Sequence, residues 1–154
     1  MNCCFTGHRD MPSGERRDKL TRELDDAIRK AYELGFRGFL AGGAMGFDTL
    51  AAERVILFRK EHPDVRLTIL VPFRDQDGRF PRVDKLRYHE AVTHADAVEV
   101  LSEYYHTSCF QVRNAALIDR SDMCVAYLQH MASGTGDTVR RAKRKGIPVV
   151  YLDS

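Results

Sequence analysis

A doubly wound α/β fold, a mainly parallel sheet of about six strands with helices on both faces, is what this sequence predicts. Short apolar runs alternate with longer segments of three-and-four apolar spacing, and a last short run closes the chain. Strands separated by helices must run parallel, because the crossover needs a dozen or so residues. A third observation bounds the size. The 154 residues, 44% of them hydrophobic, suit one domain over 1–154, which would bury about 70% of its unfolded surface.

The elements follow in order. Cys3-Cys4-Phe5 is a strand cut by Thr6-Gly7. Leu20, Leu24, Ala27, Ile28, Ala31 and Leu34 make one apolar helical stripe, stopped by Gly35. Gly38 to Ala41 is the second strand, ended by Gly42-Gly43. Phe47, Leu50, Ala51, Val55 and Phe58 mark the second helix, and Pro63 lies past its end. Arg66 to Val71 is nearly continuously apolar, a strand that Pro72 terminates. A polar loop with Asp77-Gly78 and Pro81 leads into a helix over about 83–94. Ala97 to Leu101 is strand, Phe110 to Arg120 helix and Met123 to Leu128 strand. Asp137 to Lys145 is helix, and Ile147 to Leu152 the last strand.

Composition excludes several classes. The 24 Lys and Arg nearly cancel the 22 Asp and Glu, so nothing electrostatic asks for duplex DNA or an anionic membrane, and nucleic acid is not expected as a main partner. No CxxC occurs among Cys3, Cys4, Cys109 and Cys124, and no HxxxH or HExxH among the histidines, so no metal site is expected. Adjacent Cys3 and Cys4 in a strand would point to opposite faces, as two small core residues. The N-terminus lacks the pattern of a signal peptide, and nowhere do 18 apolar residues run together. A cytoplasmic protein without a membrane span is the expectation.

In a sheet of this kind ligands bind beyond the carboxyl ends of the strands, where the loops Thr6–Gly14, Gly42–Asp48, Pro72–Pro81, Ser102–Ser108 and Gln129–Gly136 gather on one edge. Gly42, Gly43 and Gly46 allow a sharp turn and a close approach to bare N–H groups, with Asp48 as N-cap or as acceptor for ribose hydroxyls. It is not a dinucleotide fingerprint, since the first glycine is missing and the loop follows the second strand. Ser133, Gly134, Thr135, Gly136, Asp137 and Thr138 open the last helix as an anion cradle, or merely as its cap. Gly7, His8 and Arg9 leave the first strand at the same edge. Arg113 and Asn114 flank the apolar stripe of their helix, so Arg113 must meet a carboxylate such as Asp119 or Asp122, or a bound anion. Phe73, Tyr104 and Tyr105 could stack on a base, or pack in the core. The basic run 140–145 reads as a solvated helix face.

Taken in order, Thr-Gly-His-Arg (6–9), Gly-Ala-Met-Gly-Phe-Asp (43–48), Ala-Ala-Glu (51–53), Pro-Phe (72–73) with Gln76, Ala-Asp (95–96), Arg-Asn (113–114), Ser-Asp (121–122) and Gly-Thr-x-x-Thr (134–138) resemble the YpsA-like (DUF1273) branch of the SLOG superfamily. The resemblance spans nearly the whole chain. It implies a Rossmann-like fold binding a small nucleotide (AMP, ADP-ribose or NAD-like) between the two glycine loops, with a homodimer as the assembly and no other cofactor. The superfamily includes the LOG phosphoribohydrolases, which cleave a base from a nucleoside 5′-monophosphate, and DprA. Against the LOG pattern, Arg113 falls on the catalytic Arg and Gly134-Thr135 on the phosphate-binding Gly-Thr. Thr138 stands where that pattern has its catalytic Glu and Asn114 where it has Lys, so hydrolysis would require Asp48 or Asp137. Binding or sensing of a nucleotide is therefore the first expectation. N-glycosidase action with Arg113 and Asp48 as catalytic residues is the second, and a DprA-like nucleic-acid module resting on 140–145 the third.

Overall fold

In the computed structural model, which describes residues 1–152, six parallel strands form one sheet in the order β4-β3-β2-β1-β5-β6. They are β1 (Asn2–Gly7), β2 (Gly38–Ala41), β3 (Arg66–Val71), β4 (Ala97–Val100), β5 (Met123–Tyr127) and β6 (Val149–Tyr151). Between them lie α1 (Gly14–Glu33), α2 (Phe47–Arg59), α3 (Arg82–His94), α4 (Cys109–Asp119) and α5 (Gly134–Lys145), with a 3-10 turn at Gln76–Arg79. The fold is Rossmann-like.

Strand order fixes the faces. Steps from β1 to β4 all move one way across the sheet, and right-handed crossovers put α1, α2 and α3 on one side. The chain then crosses back past β1 to β5 and continues to β6, which puts α4 and α5 on the other. Two cores result. One joins Cys3, Phe5, Phe39, Ile69 and Val125 to the apolar stripes of α1 and α2. The smaller one joins Cys4, Leu40, Leu70 and Cys124 to Leu117, Ile118 and Ala142. Cys3 and Cys4 thus point to opposite faces, and Cys4 lies in register with Cys124 of β5.

Two helix ends differ from the periodicity. Leu34 is 67% exposed, because α1 has ended before it and the chain turns away at Gly35, where φ is 102°. Phe36 is buried beyond the turn instead. The last helix starts at Gly134 and not Asp137, because Ser133 Oγ accepts the Gly136 N–H at 3.0 Å and draws that turn into helical shape. No helix among the described residues is long and apolar enough to cross a membrane.

Candidate functional site

The first strand leads to a helix on one face and its neighbour β5 to a helix on the other, so a crevice opens beyond their carboxyl ends. A cleft of about 340 Å³ occupies it. The β1 loop supplies Thr6 to Arg9, the second loop Ala44 and Asp48, α4 Phe110, Arg113 and Asn114, and α5 Gly134 and Thr135.

Arg113 is the buried charge at its centre, 8% exposed. Its Nη1 donates to the Gly42 carbonyl and its Nε to Asn114 Oδ1 at 3.0 Å. Asp48 lies against the same glycine. A Cβ at Gly42 would come within 2.7 Å of Asp48 Oδ2 and 2.9 Å of Arg113 Nη1, so only glycine leaves room for both side chains. Burial pushes the Asp48 carboxyl above its ordinary range, while Arg113, the Ala44 N–H (3.2 Å) and Arg9 pull the other way. Burial likewise lowers the Arg113 guanidinium, which Asp48 partly offsets; an arginine starts high enough to stay cationic at neutral pH. Neither Asp119 nor Asp122 is its partner. Asp122 accepts from the Asn2 N–H.

Asn114 ties α4 to α5. Its Nδ2 donates to Asp137 Oδ2 at 3.2 Å and to the Gly134 carbonyl at 3.4 Å. Asp137 also accepts from Arg141 Nε at 2.9 Å; burial pushes its carboxyl up, but these two side-chain donors together with the charges of Arg141 and Arg140 hold it below the ordinary range. Ser133 and Thr138 are engaged by the helix: Ser133 caps it, and the Thr138 hydroxyl donates to Gly134 O at 3.1 Å, wholly buried. Thr135 differs. It lines the cleft at 5% exposure, and its hydroxyl has no partner among the described residues. The Gly134 and Thr135 N–H groups, in the first turn of α5, are also without one there.

His8 Nε2 accepts the Gln129 N–H at 2.8 Å, which places the ring proton on Nδ1. The ring stacks on His130 with centroids 4.3 Å apart, and burial, then His130, hold its pKa down. His8 is a neutral tether between the β1 and β5 loops, and its carbonyl accepts the Phe47 N–H at 3.1 Å. The glycine loop is stitched in as well. Gly43 O accepts from Gln76 Nε2 at 2.6 Å, and Gly46, with φ 79°, lies against the Arg9 backbone.

The structure therefore brings Gly7, His8, Arg9, Asp48, Arg113, Asn114, Gly134 and Thr135 to one cleft. Gly42, Gly43, Gly46, Ser133, Gly136 and Thr138 shape the loops behind it, Gly136 leaving room for the Met131 carbonyl. Phe110, read in the sequence only as a helix marker, is the cleft's aromatic wall, with the Arg9 guanidinium 5.4 Å and that of Arg113 5.9 Å from its ring centroid. Its place at the first turn of a helix leaving the functional edge was the available signal. The basic run is largely occupied locally: Arg140 donates to Met131 O, Arg141 pairs with Asp137, and Lys145 Nζ donates to the carbonyls of Ile118, Asp119 and Ser121.

The YspA SLOG family model matches residues 3–145. The SPbeta prophage-derived protein YoqJ of Bacillus subtilis is 31% identical over 140 residues, covering 83% of this chain and 80% of that protein. UPF0398 protein BH1768 of Halalkalibacterium halodurans is 28% identical over 105 residues, and the match spans 67% of this chain but only 56% of that relative. Among solved structures, DNA processing protein A of Helicobacter pylori, which has a single-stranded DNA binding mode of its own, superposes with TM-score 0.67 at 21% identity. The match covers all of this chain and 66% of that one. DNA processing protein A of Streptococcus pneumoniae follows at TM-score 0.64 and 16% identity, over 96% of this chain and 49% of that one.

Proposed function

The chain belongs to the YspA SLOG family, and from that premise we propose that its cleft binds the phosphate-bearing half of a nucleotide or nucleotide derivative. One observation carries the reading. A hydroxyl without a partner among the described residues, on a residue 5% exposed, and two helix-start residues with free N–H groups line the same small cleft as a buried guanidinium. Phosphate oxygens satisfy all four donors together, and the helix dipole adds to the attraction. Calorimetric titration with AMP, ADP-ribose and NAD tests it. Thr135→Val keeps the volume and removes the hydroxyl, so affinity should fall about tenfold, the worth of one hydrogen bond to a charged group, with an unchanged melting temperature. No response to any of the three at millimolar concentration removes the proposal.

Asp48 supports a second reading, N-glycosidase action on nucleoside monophosphates. It is the carboxylate among the cleft-lining residues, next to Arg113, and could stabilise a developing sugar cation. Release of free base, lost in Asp48→Asn, would favour hydrolysis over binding alone. A single-strand reading follows from the likeness to DNA processing protein A, and binding of oligo(dT) that weakens steeply with salt would favour it.

A further inference from the structure

Across Arg9 and Phe110 from the first cleft lies a second chamber, of about 670 Å³. Both residues line both spaces, so they form the divider. Beyond it the walls change character. Phe73 meets Tyr105 at 5.4 Å and 76°, and meets Phe110 at 6.2 Å and 81°, so two rings stand nearly upright on a third. Tyr105 is 61% exposed in that position, a large apolar ring at the lip that a planar ligand would cover. Arg9 and Arg79 border the chamber, and neither guanidinium has a carboxylate partner among the described residues.

We propose that this chamber is a second ring-binding subsite, so that the full site takes two nucleoside halves joined through phosphate in preference to a mononucleotide. The inference rests on the phosphate reading of the first cleft. A single nucleotide would occupy about 340 Å³ and leave the larger, aromatic space open, whereas the two together lie near the upper end of small-ligand sites. The linking phosphates would pass Arg9, whose guanidinium faces both spaces and is held over Phe110. The second ring would then stack in the box of Phe73, Tyr105 and Phe110, with Arg79 at its edge.

Calorimetry on the full chain, with AMP, NAD and adenylyl-adenosine as probes against wild type and Tyr105→Ala, decides it. At least one two-part probe should bind tenfold or more tighter than AMP. Tyr105→Ala should cancel that advantage while leaving AMP affinity within twofold. A gain with NAD identifies a free pyrophosphate-linked dinucleotide, and a gain with adenylyl-adenosine a phosphodiester-linked strand end; either supports the subsite. Equal affinity for all three probes in wild type overturns it, as does a Tyr105→Ala loss that is the same for AMP. Both of those results leave the first cleft standing, because AMP binding and its dependence on Thr135 are read separately.

Discussion

Gly46→Ala is expected to cost about 3 kcal/mol of stability, which lowers the melting temperature of a domain this size by roughly 6–12 °C. The residue has φ 79°, a conformation that L side chains rarely adopt, and an added Cβ would run into the carbonyl and Cα of Arg9. Those obstacles are backbone, so nothing flexible can give way. One loop would have to move off the other and break the Phe47 N–H bond to the His8 carbonyl. The cleft floor would move with it, so AMP binding should fall in the same variant. Gly14→Ala is the control. It shares the left-handed conformation at φ 60° but has open space around its Cβ position, so its loss should be about 1 kcal/mol. Equal destabilisation by the two substitutions in thermal denaturation would show that the close approach of the loops contributes nothing.

Arg113→Met is expected to remove phosphate binding and to destabilise the protein by about 3–5 kcal/mol near neutral pH, because it leaves Asp48 buried without its cation. The pH dependence separates this cause from simple mispacking. Burial raises the Asp48 pKa in the folded state, so its protonated form favours folding. That contribution is full below the unfolded value of roughly 3.9 and is lost as pH rises through the folded one. Without Arg113 the folded value climbs further, so the stability gap to wild type should widen between about pH 4 and about pH 7.5. Adding Asp48→Asn should recover much of the loss at the upper pH. Urea denaturation at both pH values gives the answer. A gap that stays constant with pH, or a double variant no better than the single one, would show that Asp48 and Arg113 are not coupled.

Much of the architecture was legible because its signals are local. The stripe of Leu20, Leu24, Ala27, Ile28 and Ala31 is buried as its spacing requires, and alternation through Cys3, Cys4 and Phe5 divides one strand between two cores. What escaped was long-range. Thr138 and Thr135 are both hydroxyls in one glycine-rich stretch, and only the helix start at Gly134 shows that the first bonds to Gly134 O while the second lines the cleft. Asp48 could not be matched to Arg113 from the sequence, since they come together only when β2 and β4 carry their loops to the same edge. Phe110 had only its place in the first turn of α4 to mark it until Arg9, from the far end of the chain, came over its ring.

All four cysteines are free and buried, Cys3 in the layer beneath α1 and α2, Cys4 and Cys124 in the layer beneath α4 and α5. A thiol so enclosed meets a disulfide reagent only when its layer parts from the sheet, which makes these residues native clocks. Labelling of Cys3 keeping pace with labelling of Cys4 and Cys124 would mean that the sheet loses both coverings in one event. A faster rate on the α4–α5 side would mean that this thinner covering breathes by itself, and with it the helix start that borders the cleft.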